Sequence, residues 1–117
     1  MLNLNITSKL NNNKYYIYII ECMDKTLYTG ITNDYIKRFK KHKNGTGAKY
    51  TKSHMPRRIV LLYETDTKGN ALRLEYRIKQ LNRKDKLMLI DDRKNFKLFF
   101  NDIIDINLYK RIRIKYA

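Results

Sequence analysis

A carboxylate and a guanidinium occupy positions in this sequence where they could act on a phosphate. Arg38 and His42 are four residues apart in the basic segment IKRFKKHK, so on a helix they would lie one turn apart and face a shared cleft. Glu75 is spaced from Ala71 and Ile78 so that a helix would place it at the edge of an apolar stripe, partly buried. Its ordinary role would be an ion pair, but a single glutamate can also hold magnesium, which keeps several of its waters.

The tyrosines add a second chemical signal. The chain has ten Tyr and no Trp, and Tyr18 and Tyr28 are ten residues apart. Most of these tyrosines would pack in the core, and exposed ones could stack on nucleic-acid bases. A phenol can also transfer a proton where neighbouring cations lower its pKa from the usual value of about 10.

Two strands would position the tyrosines. Tyr15–Cys22 is rich in aromatic and β-branched residues, and residues 26–31 form a similar run after the turn residues Asp24 and Lys25, so the two predict an antiparallel hairpin. Gly30 in the second strand would let a backbone or ligand approach closely. Strand alternation puts three residues of the first strand on one face: Tyr16, Tyr18 and Ile20.

A short basic helix is predicted over residues 34–43, with Thr32 or Asn33 as its cap and Asn44-Gly45 as its end. Residues 45–56 mix glycines, hydroxyls and basic side chains without periodicity, which predicts a long loop. Next come an apolar strand over residues 58–63, a helix from Asn70 and another helix from about Arg83 to Asp91. The pattern of residues 92–117 fits helix, strand and disordered tail equally well.

The overall charge indicates a polyanionic partner. Lys and Arg number 26 against 11 Asp and Glu, which gives a formal charge of +15. Nucleic acid is favoured over a membrane surface, because no segment approaches the roughly 18 apolar residues of a spanning helix. Cys22 is the single cysteine, and residues 1–14 read as a disordered lead-in without signal-peptide features, so we expect a cytoplasmic or nuclear protein that is not secreted.

These residues together resemble the GIY-YIG nuclease family. The resemblance rests on Tyr16-Ile17-Tyr18, on Tyr28-Thr29-Gly30, and on the segments LYTGITNDYIKRFKKH, GTGAKYT and ALRLEYRIKQL. Within the family, the chain is most similar to the small stand-alone proteins related to the nuclease subunit of structure-specific endonucleases. It departs from the motif at Tyr16, where the family has glycine, and at Thr29, where it has isoleucine. The resemblance covers about residues 15–92 and leaves 93–117 as an extension of unknown role, where a protein partner could dock.

The resemblance implies an α+β fold, with a three-stranded antiparallel sheet flanked by helices in the order β-β-α-β-α-α. It also implies a metal-dependent DNA endonuclease that acts in DNA repair or recombination, on branched or single-stranded DNA among other substrates, with RNA a less favoured substrate. Tyr28 would help deprotonate the attacking water, Tyr18 would support it, Arg38 would hold the scissile phosphate, and Glu75 would bind one Mg²⁺ or Mn²⁺. His42 would carry a proton or contact a phosphate. The candidate contacts to DNA are Gly30, Lys40, Lys41, Lys49 and Tyr50.

Two other functions fit part of the sequence. A non-catalytic nucleic-acid-binding module would need the positive charge and the aromatic residues, but it would not need a half-buried carboxylate at its phosphate surface. A ribosome-associated or other RNA-structural protein would explain the charge and none of the spacing. His54, in the loop, has no partner at a metal-ligand spacing and is expected to play no part in the site.

Overall fold

The structure, a computed structural model, describes residues 13–114. The expected lead-in over residues 1–14 therefore lies almost entirely outside the described residues. The strands are β1 (Tyr15–Cys22), β2 (Leu27–Thr32), β3 (Pro56–Thr65) and β4 (Lys110–Arg111). The helices are α1 (Tyr35–Lys43), α2 (Lys49–Ser53), α3 (Lys68–Gln80), α4 (Arg83–Asp91) and α5 (Lys94–Phe100), followed by a 3₁₀ turn, Ile106–Leu108.

The sheet has four antiparallel strands in the order β2-β1-β3-β4, so the expectation of three strands was wrong in number. The α+β class and the predicted hairpin are confirmed. The additional strand contributes only two residues, which pair with Tyr63 and Glu64 at the end of β3. So short an edge strand has no periodicity of its own and forms because the main body of the sheet is already in place.

Alternation along β1 divides its side chains between the two faces of the sheet. Ile17 and Ile19 point to the face covered by α3, α4 and α5, and belong to the larger core cluster. The predicted face of Tyr16, Tyr18 and Ile20 is confirmed, and these residues pack with Phe39 of α1 in a second cluster. Full burial of an aliphatic side chain contributes roughly 1.5 to 3 kcal/mol, so β1 is stabilised from both sides.

The helix starts differ from those expected because other side chains provide the caps. Asp34, rather than Thr32 or Asn33, caps α1 by accepting a hydrogen bond of 3.1 Å from the backbone N–H of Lys37. Thr67 caps α3 through the N–H of Asn70 at 3.0 Å, which starts this helix two residues before the predicted position. The predicted helix α4 is confirmed at Arg83–Asp91.

Residues 45–56 contain a short helix, α2, where only a loop was expected. Lys49–Ser53 forms a single helical turn, and the Thr51 hydroxyl donates a hydrogen bond of 3.0 Å to the Ala48 carbonyl oxygen. Thr51 is buried, so tertiary contact holds this turn where local sequence preference does not. The segment therefore provides fixed side chains next to α1.

Residues 93–114 complete the larger core. Phe96, Phe100 and Tyr109 are buried in the same cluster as Ile17, and the Tyr63 ring stacks on Phe96 with centroids 4.4 Å apart.

None of the helices within residues 13–114 is long and apolar enough to cross a membrane.

Candidate active site

Tyr18 and Gly30 lie opposite each other on β1 and β2. A Cβ atom added at Gly30 would lie only 2.7 Å from the ring carbon Cζ of Tyr18, and even closer to its hydroxyl oxygen. The sequence predicted that a backbone or ligand would approach this glycine, but the group that approaches it is the phenol of Tyr18. Gly30 therefore leaves the space in which the Tyr18 hydroxyl lies.

His42 is fully buried and contacts Tyr18 directly. Its Nε2 lies 2.9 Å from the Tyr18 hydroxyl oxygen, and its Nδ1 lies 2.7 Å from the Thr51 hydroxyl oxygen. Burial, aided by the positive charge of Arg38, lowers the pKa of His42 to about 4. At neutral pH His42 is therefore uncharged, with one nitrogen that donates a hydrogen bond and one that accepts.

The pKa of the Tyr18 hydroxyl shows which neighbouring groups affect it. Burial raises that pKa to about 12. A hydrogen bond and the positive charge from Arg38 act in the opposite direction, whereas Tyr28 and Glu75 raise the pKa further. Arg38, Tyr28 and Glu75 are thus all close enough to Tyr18 to affect the pKa of its phenol.

Tyr28 is held by a row of stacked rings. Its ring stacks on Tyr50 of α2, with centroids 5.7 Å apart and planes 22° apart, and its centroid is 5.3 Å from that of His42. The other neighbour of Tyr50 is His54, at 4.0 Å and 12°. His54 was expected to play no part, yet its Nδ1 lies 2.7 Å from Asp24 Oδ2, so the row is anchored to the hairpin turn. The row runs from Asp24 in the turn through His54 and Tyr50 to Tyr28.

Basic residues surround Arg38 on its exposed side. A depression of about 240 Å³ is lined by Thr32, Asn33, Asp34, Lys37, Arg38 and Lys41. Lys40 and Lys49 are exposed. Of the residues that line the depression, Lys37, Arg38 and Lys41 are cations and only Asp34 is an anion, so the depression suits a phosphate group. Arg38 could bind two phosphate oxygens at once.

Glu75 is mostly buried, with 18% of its side chain exposed, and its Oε2 lies 3.2 Å from Lys79 Nζ, one turn further along α3. An ion pair of this kind is worth only about 0.3 to 0.5 kcal/mol, so a divalent cation could displace Lys79. Within residues 13–114 no group of three or more His, Cys, Asp or Glu side chains could hold a metal. One hard carboxylate oxygen donor nevertheless fits Mg²⁺, which binds through one or two carboxylates, waters and substrate phosphate.

Two positions in this site were not identified from the sequence. Thr51 contacts His42 as described, and a Cβ atom added at Gly47 would lie 2.9 Å from His42 Cγ, so the segment folds directly over the imidazole. Thr51 is nine residues after His42, a spacing that matches no periodic element. Only the tertiary path of the segment brings the two side chains together.

Comparison with known proteins identifies the family to which this chain is similar. The family model described as GIY-YIG catalytic domain matches residues 14–88. A UPF0213 protein of Staphylococcus saprophyticus is 51% identical over 79 residues, which cover 68% of this chain and 96% of that protein. The UPF0213 protein YsiG of Lactococcus lactis is 41% identical over 106 residues, covering 88% and 99%.

Among solved structures, the solution NMR structure of a UPF0213 protein from Bacillus halodurans matches with 44% identity and a TM-score of 0.45, covering 67% of this chain and 83% of that one. Many UPF0213 proteins are similar to this chain, and they form a family of small stand-alone GIY-YIG proteins. Since the family model spans more than half of the residues, the chain belongs to the family of GIY-YIG catalytic domains.

Proposed function

We propose that this protein is a divalent-metal-dependent endonuclease that hydrolyses phosphodiester bonds of DNA. The GIY-YIG domain implies a nuclease-type function. The observation that carries the proposal is the convergence at the Tyr18 hydroxyl, which lies 2.9 Å from His42 Nε2 and whose pKa is affected by Arg38, Tyr28 and Glu75. A binding surface has no use for two phenols, a neutral imidazole and a carboxylate around one point.

The hydrolysis adds water across the bond between phosphorus and the 3′ oxygen, leaving a 5′-phosphate and a 3′-hydroxyl. Tyr28 would help to remove a proton from the attacking water. Tyr18, whose pKa of about 12 keeps its proton on at neutral pH, would hold that water by a hydrogen bond. Arg38 would bind the phosphate and stabilise the negative charge that grows on it during attack.

Glu75 would hold one Mg²⁺ or Mn²⁺ ion. When bound, the ion would neutralise negative charge on the leaving oxygen and on the phosphate. The position of Glu75 also affects the phenol, because its carboxylate is one of the groups that raise the pKa of Tyr18. Compensation of that charge would remove only a small part of the rise in the pKa of Tyr18, because burial is its main cause.

The basic residues around Arg38 support DNA as the partner. Lys40, Lys41 and Lys49 are exposed and could each neutralise a phosphate, which would make binding depend steeply on salt. The Tyr50 ring already stacks on Tyr28 and His54, so we propose that Tyr50 meets DNA through its edge and hydroxyl. The formal charge of +15 would equally support a non-catalytic binding module, which remains the second candidate.

Metal removal separates the two candidates. Purified protein is incubated with labelled single-stranded, duplex and branched DNA, with Mg²⁺, with Mn²⁺ or with EDTA. Cleavage of at least one substrate is expected with metal and none with EDTA, with activity restored by excess Mg²⁺. Tight, salt-sensitive binding of all three substrates without any cleavage would instead identify a binding module.

Gly30→Ala is expected to lower kcat by about 10²-fold, because the added methyl group would take the place of the Tyr18 hydroxyl and push it out of line. Gly69→Ala is the matched control, since a Cβ atom there would meet nothing closer than 3.9 Å in the first turn of α3. The control should keep full activity and unfold at the same temperature or higher. Equal activity of the two variants would mean that the position of Tyr18 does not matter for cleavage.

A further inference from the structure

A continuous chain of hydrogen-bonding groups runs from α2 to the Tyr18 hydroxyl. The Thr51 hydroxyl oxygen lies 3.0 Å from the Ala48 carbonyl oxygen and 2.7 Å from His42 Nδ1, and His42 Nε2 lies 2.9 Å from the Tyr18 oxygen. Thr51, His42 and Tyr18 are each at most 2% exposed. Bulk water therefore has little access to the groups that fix the direction of these hydrogen bonds.

The hydrogen count favours one direction along this chain. The carbonyl oxygen of Ala48 can only accept, so the single Thr51 hydrogen goes to it, and the Thr51 oxygen then accepts from His42 Nδ1–H. Neutral His42 has no second hydrogen, so its Nε2 accepts one from Tyr18. The reverse direction would leave the 3.0 Å contact between the Thr51 hydroxyl and the Ala48 carbonyl oxygen without a hydrogen. It would gain in exchange only a long hydrogen bond of 3.5 Å from the Ala48 N–H to Nδ1.

Arg38 supports the same direction from the other end. Its guanidinium can only donate, and its donor groups and positive charge act to lower the pKa of the Tyr18 hydroxyl. Arg38 thus favours an electron pair of the Tyr18 oxygen on its own side, which leaves the Tyr18 hydrogen free to go to His42 Nε2. One arrangement of hydrogens thus satisfies the Ala48 carbonyl oxygen, Thr51, His42 and Tyr18 together.

We propose that Thr51 is a positioning residue that holds neutral His42 in the tautomer with its hydrogen on Nδ1, so that His42 directs the Tyr18 hydrogen away from the substrate. This inference rests on the proposed nuclease function, because it gives Tyr18 a task in the reaction. The Tyr18 oxygen then presents a lone pair, and no hydrogen, to the water that attacks the phosphate. In consequence Tyr18 accepts a hydrogen bond from that water and helps to aim its oxygen at phosphorus.

Two substitutions at position 51 test this role. Thr51→Val keeps the shape and removes the hydroxyl, whereas Thr51→Ser keeps the hydroxyl and removes a methyl group. Thr51→Val is expected to lower kcat about 10-fold or more with KM unchanged, because the imidazole loses the partner that fixes its tautomer. Thr51→Ser should restore most of the activity. Thr46→Val is the control, since the Thr46 hydroxyl is exposed and bonds only to Asn44 and Lys41.

A readout that does not depend on cleavage separates this inference from the proposed function. In ¹⁵N-labelled protein, the imidazole nitrogen resonances of His42 distinguish a protonated nitrogen from a bare one. The wild type and Thr51→Ser should show hydrogen on Nδ1, and Thr51→Val should show a mixture or the opposite tautomer. A wild type with its hydrogen on Nε2 would overturn the inference even if the protein cuts DNA. The expected tautomer in a protein that cuts nothing would instead remove the proposed function alone.

Discussion

Replacing Glu75 with glutamine is expected to lower kcat by about 10³-fold at saturating Mg²⁺ while the affinity for DNA stays the same or rises. Glutamine keeps the size of the side chain and removes the charge on which a hard cation depends. Loss of one group that stabilises developing charge typically costs about 10² to 10³ in kcat. A buried negative charge next to a phosphate also repels it, which explains why binding should not weaken. The measurements are single-turnover cleavage and DNA affinity at one salt concentration.

Glu21→Gln is a closely matched control. The Glu21 side chain is 19% exposed against 18% for Glu75, and each is paired with a cation, Arg58 at 3.0 Å in one case and Lys79 at 3.2 Å in the other. Both substitutions therefore remove one mostly buried, paired carboxylate from the same protein. Glu21→Gln should cleave like the wild type. Equal cleavage by all three proteins would point to a contaminating nuclease, and equal loss in both variants would point to a general effect of charge on folding.

The placement of the central residues of the candidate site could be predicted from the sequence because they lie on periodic elements, whereas their roles are those that the family resemblance implies. Alternation along β1 fixed the face of Tyr18, and the antiparallel hairpin then placed Tyr28 and Gly30 on the same side. The four-residue spacing of Arg38 and His42 placed both on one side of α1. Each of these steps needs only the period of a strand or helix and a short turn. None of these steps requires the path of the chain between one element and the next.

The surroundings of His42 could not be predicted in this way. Thr51 reaches the imidazole because residues 45–56 fold back over α1, and His54 reaches Asp24 across 30 positions of sequence. The glycines and hydroxyls of this segment predict turns but do not determine their direction. Its helical turn is held by buried contacts, which no propensity within five residues can indicate.

The C-terminal residues show the same limit. Phe96 and Phe100 are four residues apart, as a helix requires, but three Phe and one Leu within five residues also fit a buried strand. The segment forms a helix because Phe96 and Phe100 then pack on one apolar surface, to which Tyr63 of β3 and Leu89 of α4 contribute. Arg111 then holds β4 next to α4, because its guanidinium donates to the carbonyl oxygens of Leu89 at 3.2 Å and Ile90 at 3.0 Å.

Phe100→Ala is expected to lower the free energy of unfolding by about 3 to 5 kcal/mol, the range for removing a buried Phe side chain. Phe100 is 1% exposed and lies in the cluster that also contains Ile17, Leu74 and Leu89, so the lost volume opens inside the main core. Since domains of this size have about 5 to 15 kcal/mol in total, the variant should be close to unfolding at 37 °C. Urea denaturation measures the change directly, and Tm should fall by more than about 10 °C.

Leu98→Ala, two positions away on the same helix, separates burial from helix stability. Leu98 is 71% exposed, so its replacement should change the free energy of unfolding by no more than about 0.5 kcal/mol. A large loss for Phe100→Ala with almost none for Leu98→Ala means that α5 packs through the Phe96 and Phe100 face. Small effects in both would mean that the GIY-YIG domain folds without residues 93–114. In that case the active site would depend only on the core formed by the sheet with α3 and α4.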